Sequence, residues 1–320
     1  MSDESVAVDD GPAPSGQPSS LAVEHVGMRS RVISQIGSDR LALIGAGIVG
    51  LVVLVAIMTA VDEYVLDRQL ITALLHDPYA TDRYARLAAP SASHPFGTDE
   101  QGRDILARVL YGTKTSVLVG VGAVGFASVV GVTIGLVTAY YGGLTDMFGM
   151  RVMDVVLSFP AILLAIALMS ILGRGLENVI LAIGIVYVPT FARLTRGEVL
   201  SEKAEQYVGA ARVIGYPDHN IMTSEILPNS LTPITVQLTF SMATAIIAEA
   251  ALSFLGLGVS PINPTWGIIL SGARAYILEA WWYSLFPGVA IMLTVLGFNL
   301  LGDSLRDALD PNTDSNRGQM

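Results

Sequence analysis

Apolar residues fall into long runs separated by polar stretches. The runs cover about Leu41 to Val61, Thr115 to Tyr140, Met150 to Leu172, Leu176 to Leu194, Asn229 to Leu255 and Tyr283 to Leu301. A helix rises ~1.5 Å per residue, so about 20 apolar residues cross a bilayer core. In lipid the backbone must satisfy its own hydrogen bonds, which makes each run a predicted transmembrane helix. The predicted fold class is all-α, a polytopic membrane protein with six transmembrane helices. Pro160 and Pro189 fall inside two runs and are expected to kink them. Arg151 and Asp154 sit three apart and are expected to pair on one helix face.

The polar stretches set the predicted topology. Residues 1–28 are rich in Pro, Ser and Gly, with Asp3, Glu4, Asp9 and Asp10. They read as a disordered acidic tail, and they lack the basic start and apolar core of a signal peptide. Arg29, Arg31 and Arg40 precede the first run, whereas only Arg68 closely follows it. The positive-inside bias puts the N-terminus in the cytoplasm and makes the first helix an uncleaved anchor. Residues 29–114 then form anchor helix and external segment. Residues 115–303 form the membrane domain with a cytoplasmic loop at 196–228, and 304–320 a cytoplasmic tail. Arg83, Arg86, Arg103, Arg108 and Lys114 lie in the long outer segment, where charge counts less. Within it, Ile105, Leu106, Val109 and Leu110 share one face, which suits a helix lying at the membrane surface or against the bundle. Trp266 is expected at the interface, and Trp281 and Trp282 at the outer start of the sixth span.

Composition agrees: 52% of residues are apolar and 14% charged among 320. Net charge is −10, with Lys114 and Lys203 as the lysines, and no basic patch is visible, which argues against nucleic acid. Zero cysteines exclude disulfides and thiolate chemistry. Gly45-Ala-Gly47-Ile-Val-Gly50 and Gly120-Val-Gly122-Ala-Val-Gly125 fit the dinucleotide fingerprint but sit inside apolar runs. They read better as small residues for close helix packing, as do Gly131 and Gly135. No phosphate-cradling G-x-x-x-x-G-K-[ST] occurs, so any ATP-driven motor is another subunit. His25, His76, His94 and His219 show no metal-ligand spacing and read as solvated loop residues. No catalytic residues and no metal ligands are assigned.

One polar-apolar stretch, 205–233, stands between the fourth and fifth runs. Tyr207, Ala210, Ala211 and Ile214 recur at helical spacing. Gly215 stands where a helix end needs φ > 0, Pro217 bars continuation, and Asp218 is placed to N-cap a second short helix. Ile221, Met222 and Glu225 to Leu227 fill that helix, and Pro228 marks its end or the entry to the next segment.

These residues carry a resemblance. Ala210-Ala211, Gly215 and, after nine more residues, Glu225-Ile226-Leu227-Pro228 resemble the cytoplasmic EAA loop of ABC importer permeases. Gly209 replaces the expected glutamate, and Glu225 a usual apolar residue. His94-Pro-Phe-Gly-Thr-Asp-Glu-Gln-Gly-Arg-Asp104 and Glu249-Ala-Ala-Leu-Ser-Phe-Leu-Gly-Leu-Gly258 resemble the dipeptide/oligopeptide/nickel branch, C-type. The resemblance implies a type I permease fold and half of a translocation path for peptides. It implies a second homologous permease subunit, two ATPase subunits that bind ATP and Mg, and an external solute-binding protein. It also makes Gly209, Ala210, Ala211, Gly215, Tyr216, Pro217, Asp218, Leu227 and Pro228 the ATPase-coupling residues. Glu249, an acid in an apolar run, has two readings. About 30 Å along the helix from Asn229, it is expected near the outer boundary, solvated or capped by loop amides, and either lines the translocation path or pairs structurally. Nickel chelates or another small solute remain alternative cargoes, and an ion-coupled secondary transporter is the competing class.

Overall fold

The computed structural model describes residues 39–260 and 262–309. His25, the 1–28 tail and residues 310–320 of the C-terminal tail lie outside the described residues. The chain forms helices α1 (Arg40–Tyr64), α2 (Gln69–Leu74), α3 (Ile105–Tyr141), α4 (Gly143–Leu157), α5 (Ala161–Leu172), α6 (Leu176–Glu202) and α7 (Gln206–Ile214). There follow α8 (Asp218–Phe254), α9 (Trp266–Ala273) and α10 (Trp281–Leu309). Five helices are long and apolar enough to cross a membrane, and the bent pair α4–α5 makes up to six. The chain is therefore a multi-pass membrane protein.

The bend is sharper than the expected kink. The third apolar run breaks at Ser158–Pro160, and α4 and α5 meet at 90°. Proline lacks a donor and pushes the residue before it out of helical geometry, so Phe159 cannot continue α4. Pro189, by contrast, lies inside an unbroken α6. The expected Arg151–Asp154 pair is replaced by a longer-range one. Arg193 on α6 donates to Asp154 at 2.6 Å, and Arg196 grips Asp146 with two 2.6 Å bonds. These bonds tie α4 to α6.

The centre of the bundle is α3 against α6. A Cβ at Gly131 would overlap Phe191 Cβ and the Val188 carbonyl, and one at Gly135 would meet Thr195 Cβ, so the two backbones touch there. Around this seam pack Ala123, Ala127, Val179, Ile183, Ala192 and Ala245, all buried. The other glycine run behaves differently: Gly45 packs on α10, whereas Gly47 and Gly50 face open space.

At one end of the bundle lies a layer made from residues 62–104 and 256–280. Its apolar stripe does not form a separate surface helix. Ile105 to Leu110 are the first turns of the 37-residue α3, N-capped by Asp104, whose Oδ1 accepts the Ala107 amide at 2.8 Å. Helix α3 therefore runs without a break through residue 114. Asp99 is buried and accepts the Gln101 and Arg103 amides (2.8 and 2.9 Å) and Arg103 Nε (2.6 Å). Arg108, also buried, lies 3.6 Å from Asp99 and donates to the Pro78 carbonyl. Asp62 at the end of α1 accepts the Leu70 amide and the Tyr111 hydroxyl (2.8 and 2.5 Å). The tryptophans divide. Trp281 is exposed, but Trp266 is buried and its indole N–H donates to the Val109 carbonyl. Trp266 is thus a core residue and not the interfacial one expected; Trp282 is buried too.

Candidate functional site

The opposite end of the bundle carries the helical hairpin. Helix α6 continues past its apolar run to Glu202, and Lys203 then folds back. Its Nζ donates to the carbonyls of Ala139 (3.2 Å) and Tyr140, the last turn of α3. A cation there completes unsatisfied acceptors and complements the helix dipole. Helix α7 buries Val208 and Ala211 against Leu136, Ala139 and Tyr140, with Ile221, Met222 and Ile226 closing the cluster. The buried face of α7 is therefore Val208 and Ala211. Of the residues expected to form it, Ala210 and Ile214 are exposed and Tyr207 is half-buried. Tyr207 donates its hydroxyl to Glu202 and accepts from Asn229 Nδ2 at 3.0 Å. Burial and the Glu202 carboxylate push that hydroxyl above its ordinary range, so it remains a donor.

The turn itself follows the sequence reading. Gly215 has φ +89°. The Tyr216 amide reaches the Ala211 carbonyl and the Gly215 amide the Arg212 carbonyl, both at 3.0 Å, a Schellman closure. Pro217 then caps the next helix, not Asp218, which is its first residue. Asp218 instead accepts the Tyr140 hydroxyl at 2.6 Å and pins the turn to α3. The Arg212 guanidinium lies 5.3 Å from the centre of the same ring.

The second short helix is not separate. It passes through a π-helical segment, Ile221–Ile226, straight into the fifth span, so Pro228 ends nothing. Pro228 has no N–H and crowds the carbonyl four residues back. The Leu227 amide accordingly reaches five residues back, to Met222. Asn229 Nδ2 and Ser230 Oγ satisfy the Glu225 and Ile226 carbonyls. The hairpin is thus continuous with α8.

Gly209, Ala210, Gly215, Tyr216, Pro217, Asp218 and Pro228 are exposed, Leu227 is half-buried and Ala211 is buried. Sequence reasoning placed Tyr216 here, but it missed Val213 and read Ile214 as part of the packed face. Val213 is 90% and Ile214 74% exposed, and Tyr216 adjoins them at 48%. Two aliphatic residues just before a turn glycine, on a helix whose buried face lies elsewhere, were the available signal.

Glu249 departs from its expected setting. It is fully buried, not solvated. Its carboxylate accepts the hydroxyls of Ser116 on α3 (2.9 Å) and Ser253 (2.7 Å). A recess of about 360 Å³ opens on the other side of α8, between Ala161, Ala165, Tyr187, Thr244, Ile247 and Ala251. At 100° per residue, Thr244, Ile247 and Ala251 face away from Glu249. Within this subunit Glu249 is a buried carboxylate paired with two serine hydroxyls. The histidines divide as well. His219 and His76 are exposed, His94 is half-buried, and His76 and His94 both face the buried Asp104.

A spanning bundle with one polar layer, one projecting hairpin and a bent helix pair is the architecture of a transport permease. Its fold matches a chain of the inward-facing MetNI methionine ABC transporter, with a TM-score of 0.52 over 63% of this chain and 96% of that one, at 18% identity. Residues 131–315 match the family described as binding-protein-dependent transport system inner membrane component, and the chain belongs to that family. It is 44% identical to the dipeptide transport system permease protein DppC of Alkalihalophilus pseudofirmus, over 95% of this chain and 96% of that one. It is 45% identical to the probable D,D-dipeptide transport system permease protein DdpC of Escherichia coli, over 74% and 79%. With the E. coli glutathione transport system permease protein GsiD it shares 49% over 69% and 73%.

Proposed function

We propose that this chain is one of two permease subunits of an ATP-driven importer for short peptides, and that hairpin 203–220 is its contact with the ATPase. The exposed Val213–Ile214–Tyr216 tip on a buried base carries this reading. Apolar side chains held rigidly in the open fit a groove on a partner, since ordering costs little when the tip is already fixed. ATP and Mg are held by the two ATPase subunits, as this chain has no phosphate cradle. In this reading the hairpin and both termini face the cytoplasm. The 62–104 layer then faces outward, where the solute-binding protein delivers cargo. The second permease subunit packs on this one, with the cargo path between them. The exposed apolar faces of α4 and α5, including Phe148, Val152 and Leu163, are available to that subunit or to lipid. Dipeptide, D,D-dipeptide and glutathione systems among the relatives share peptide chemistry, which favours peptides as cargo.

The test places a charge on the tip. Ile214→Asp alters an exposed side chain and leaves the bundle folded. It is expected to reduce ATPase co-purification and peptide uptake together, each severalfold. Wild-type co-purification with wild-type uptake would remove the hairpin from the contact. Uptake driven by an ion gradient without ATP would remove the importer reading altogether.

A further inference from the structure

The layer at the N-terminal end of α3 gathers three groups that ligate metals. His94 Nδ1 lies 2.8 Å and His76 Nδ1 3.6 Å from one oxygen, Asp104 Oδ2. The ligand atoms of all three residues fall within 4.8 Å of one another. The imidazole rings sit face against face, 4.3 Å apart and tilted by 31°. The other carboxylate oxygen is already used by the Ala107 amide, which fixes the carboxylate and aims Oδ2 at the two rings.

We propose that His76, His94 and Asp104 form a binding site for a divalent transition-metal ion of the zinc type. Zinc takes imidazole nitrogen and carboxylate oxygen at ~2.0–2.2 Å, which puts neighbouring ligand atoms about 3.3 Å apart in a tetrahedron. The observed 2.8 and 3.6 Å separations bracket that value. A hydrogen bond to Asp104 alone accounts for His94. It does not account for His76, whose Nδ1 faces the same oxygen beyond hydrogen-bond distance. To ligate, each ring carries its proton on Nε2 and turns the bare Nδ1 inward. Asp104 supplies one negative charge against the cation. Asp77, the nearest other acid in sequence, is turned to Arg68 and to the Tyr79 amide, so it is no competing ligand. The His76 side chain is 49% exposed, so the fourth position opens to solvent and the ion exchanges. Because the histidines stand 18 positions apart and Asp104 ten further on, the ion would strap two loops to the start of α3.

The chain is well suited to the experiment, since it has no cysteine and four histidines. Full-length protein purified through a tag without histidine is placed in lipid nanodiscs and titrated with Zn²⁺ by calorimetry. Co²⁺ is added in parallel to read the visible spectrum of a nitrogen- and oxygen-ligated ion. Asp104 caps α3, so its replacement confounds binding with folding. His76→Ala, at a half-exposed position, is the variant to use, and His219→Ala is the control. One equivalent of Zn²⁺ is expected in wild type and in His219→Ala. Changes that only perturb a ligand from outside cost 10–100-fold in affinity, so loss of a direct ligand in His76→Ala should weaken binding by at least about tenfold. Zn²⁺ should raise the thermal midpoint of wild type and leave that of His76→Ala in place. Equal binding in wild type and His76→Ala, or no binding to wild type, would overturn the site.

Discussion

The two ends of α3 are finished in opposite ways. At its N-terminus Asp104 accepts an amide, with Asp99, Arg103 and Arg108 buried or nearly so behind it. At its C-terminus Lys203 sits on the last carbonyls, and a hairpin projects with its apolar tip uncovered. Both arrangements satisfy helix-end groups with charge of the right sign. They differ in what they close. The first buries its polar groups in a layer pinned by Asp62, Asp99 and Asp104. The second leaves a short, stiff element free to meet another surface. One end therefore holds the bundle together, and the other leaves an apolar tip uncovered, the end that the proposed ATPase contact uses.

The largest effect should come from breaking the closed end. Asp99→Ala removes the acceptor for two amides and for Arg103, and leaves buried Arg108 without its carboxylate. Breaking a buried pair by deleting one partner costs ~3–5 kcal/mol. Thermal unfolding of the purified complex should show a large drop in midpoint, or no folded protein at all. A midpoint within a degree or two of wild type would mean that the layer contributes little to holding the bundle.

Much of the open end could be read from sequence, and much less of the closed end. Gly215, Pro217 and the apolar runs act through local backbone geometry and hydropathy, which are visible within a few residues. The five long spans and the turn therefore follow from the text, whereas the 90° break in the third run does not. The closed end depends on contacts far apart in sequence. His76 reaches Asp104, Asp62 reaches Tyr111 and Trp266 reaches Val109, and no short window contains both partners. Glu249 shows the same limit. Counting rise along one helix put it near a boundary, and it does lie five residues before the helix ends at Phe254, but the count could not show what it meets there. One of its partners is Ser116 on another helix, 133 positions away. The long π-containing α8 was hidden for a different reason. In a single sequence Pro228 reads as a stop or as the entry to the next segment; the structure shows the second, and the carbonyl bonds of Asn229 and Ser230 show how the helix passes it.

A smaller effect on stability, with a larger one on function, is expected at the turn. Gly215 has left-handed angles that a β-branched residue resists, at ~1–3 kcal/mol. A Cβ there meets nothing within 4 Å, so strain and not collision is the cost. Gly215→Val should keep the protein folded and membrane-inserted while weakening ATPase docking or uncoupling it from transport. Peptide uptake, ATP hydrolysis and subunit co-purification are measured side by side. Normal hydrolysis with no uptake would localise the fault to transmission. Wild-type uptake with wild-type stimulated hydrolysis would show that the turn's conformation is not used.

The smallest effect should be a gain. Gly209 lies in the middle of α7, is exposed, and a Cβ there meets nothing within 4 Å. Glycine inside a helix is unfavourable by roughly 0.5–1 kcal/mol relative to alanine, and glutamate is a good helix former. Gly209→Glu also restores the residue that the EAA pattern carries at this position. The new acid joins Glu202 and Glu205 near the start of α7, and that local repulsion offsets part of the propensity gain. The expected outcome is a thermal midpoint unchanged or raised slightly, with uptake at least at the wild-type level. A clear fall in midpoint would mean that α7 is packed more tightly around residue 209 than its open surroundings indicate. A fall in uptake at unchanged stability would instead mean that the hairpin needs the pliancy of glycine at this point. The open end would then be a flexing element and not the stiff lever that its Schellman turn and its Tyr140–Asp218 bond describe.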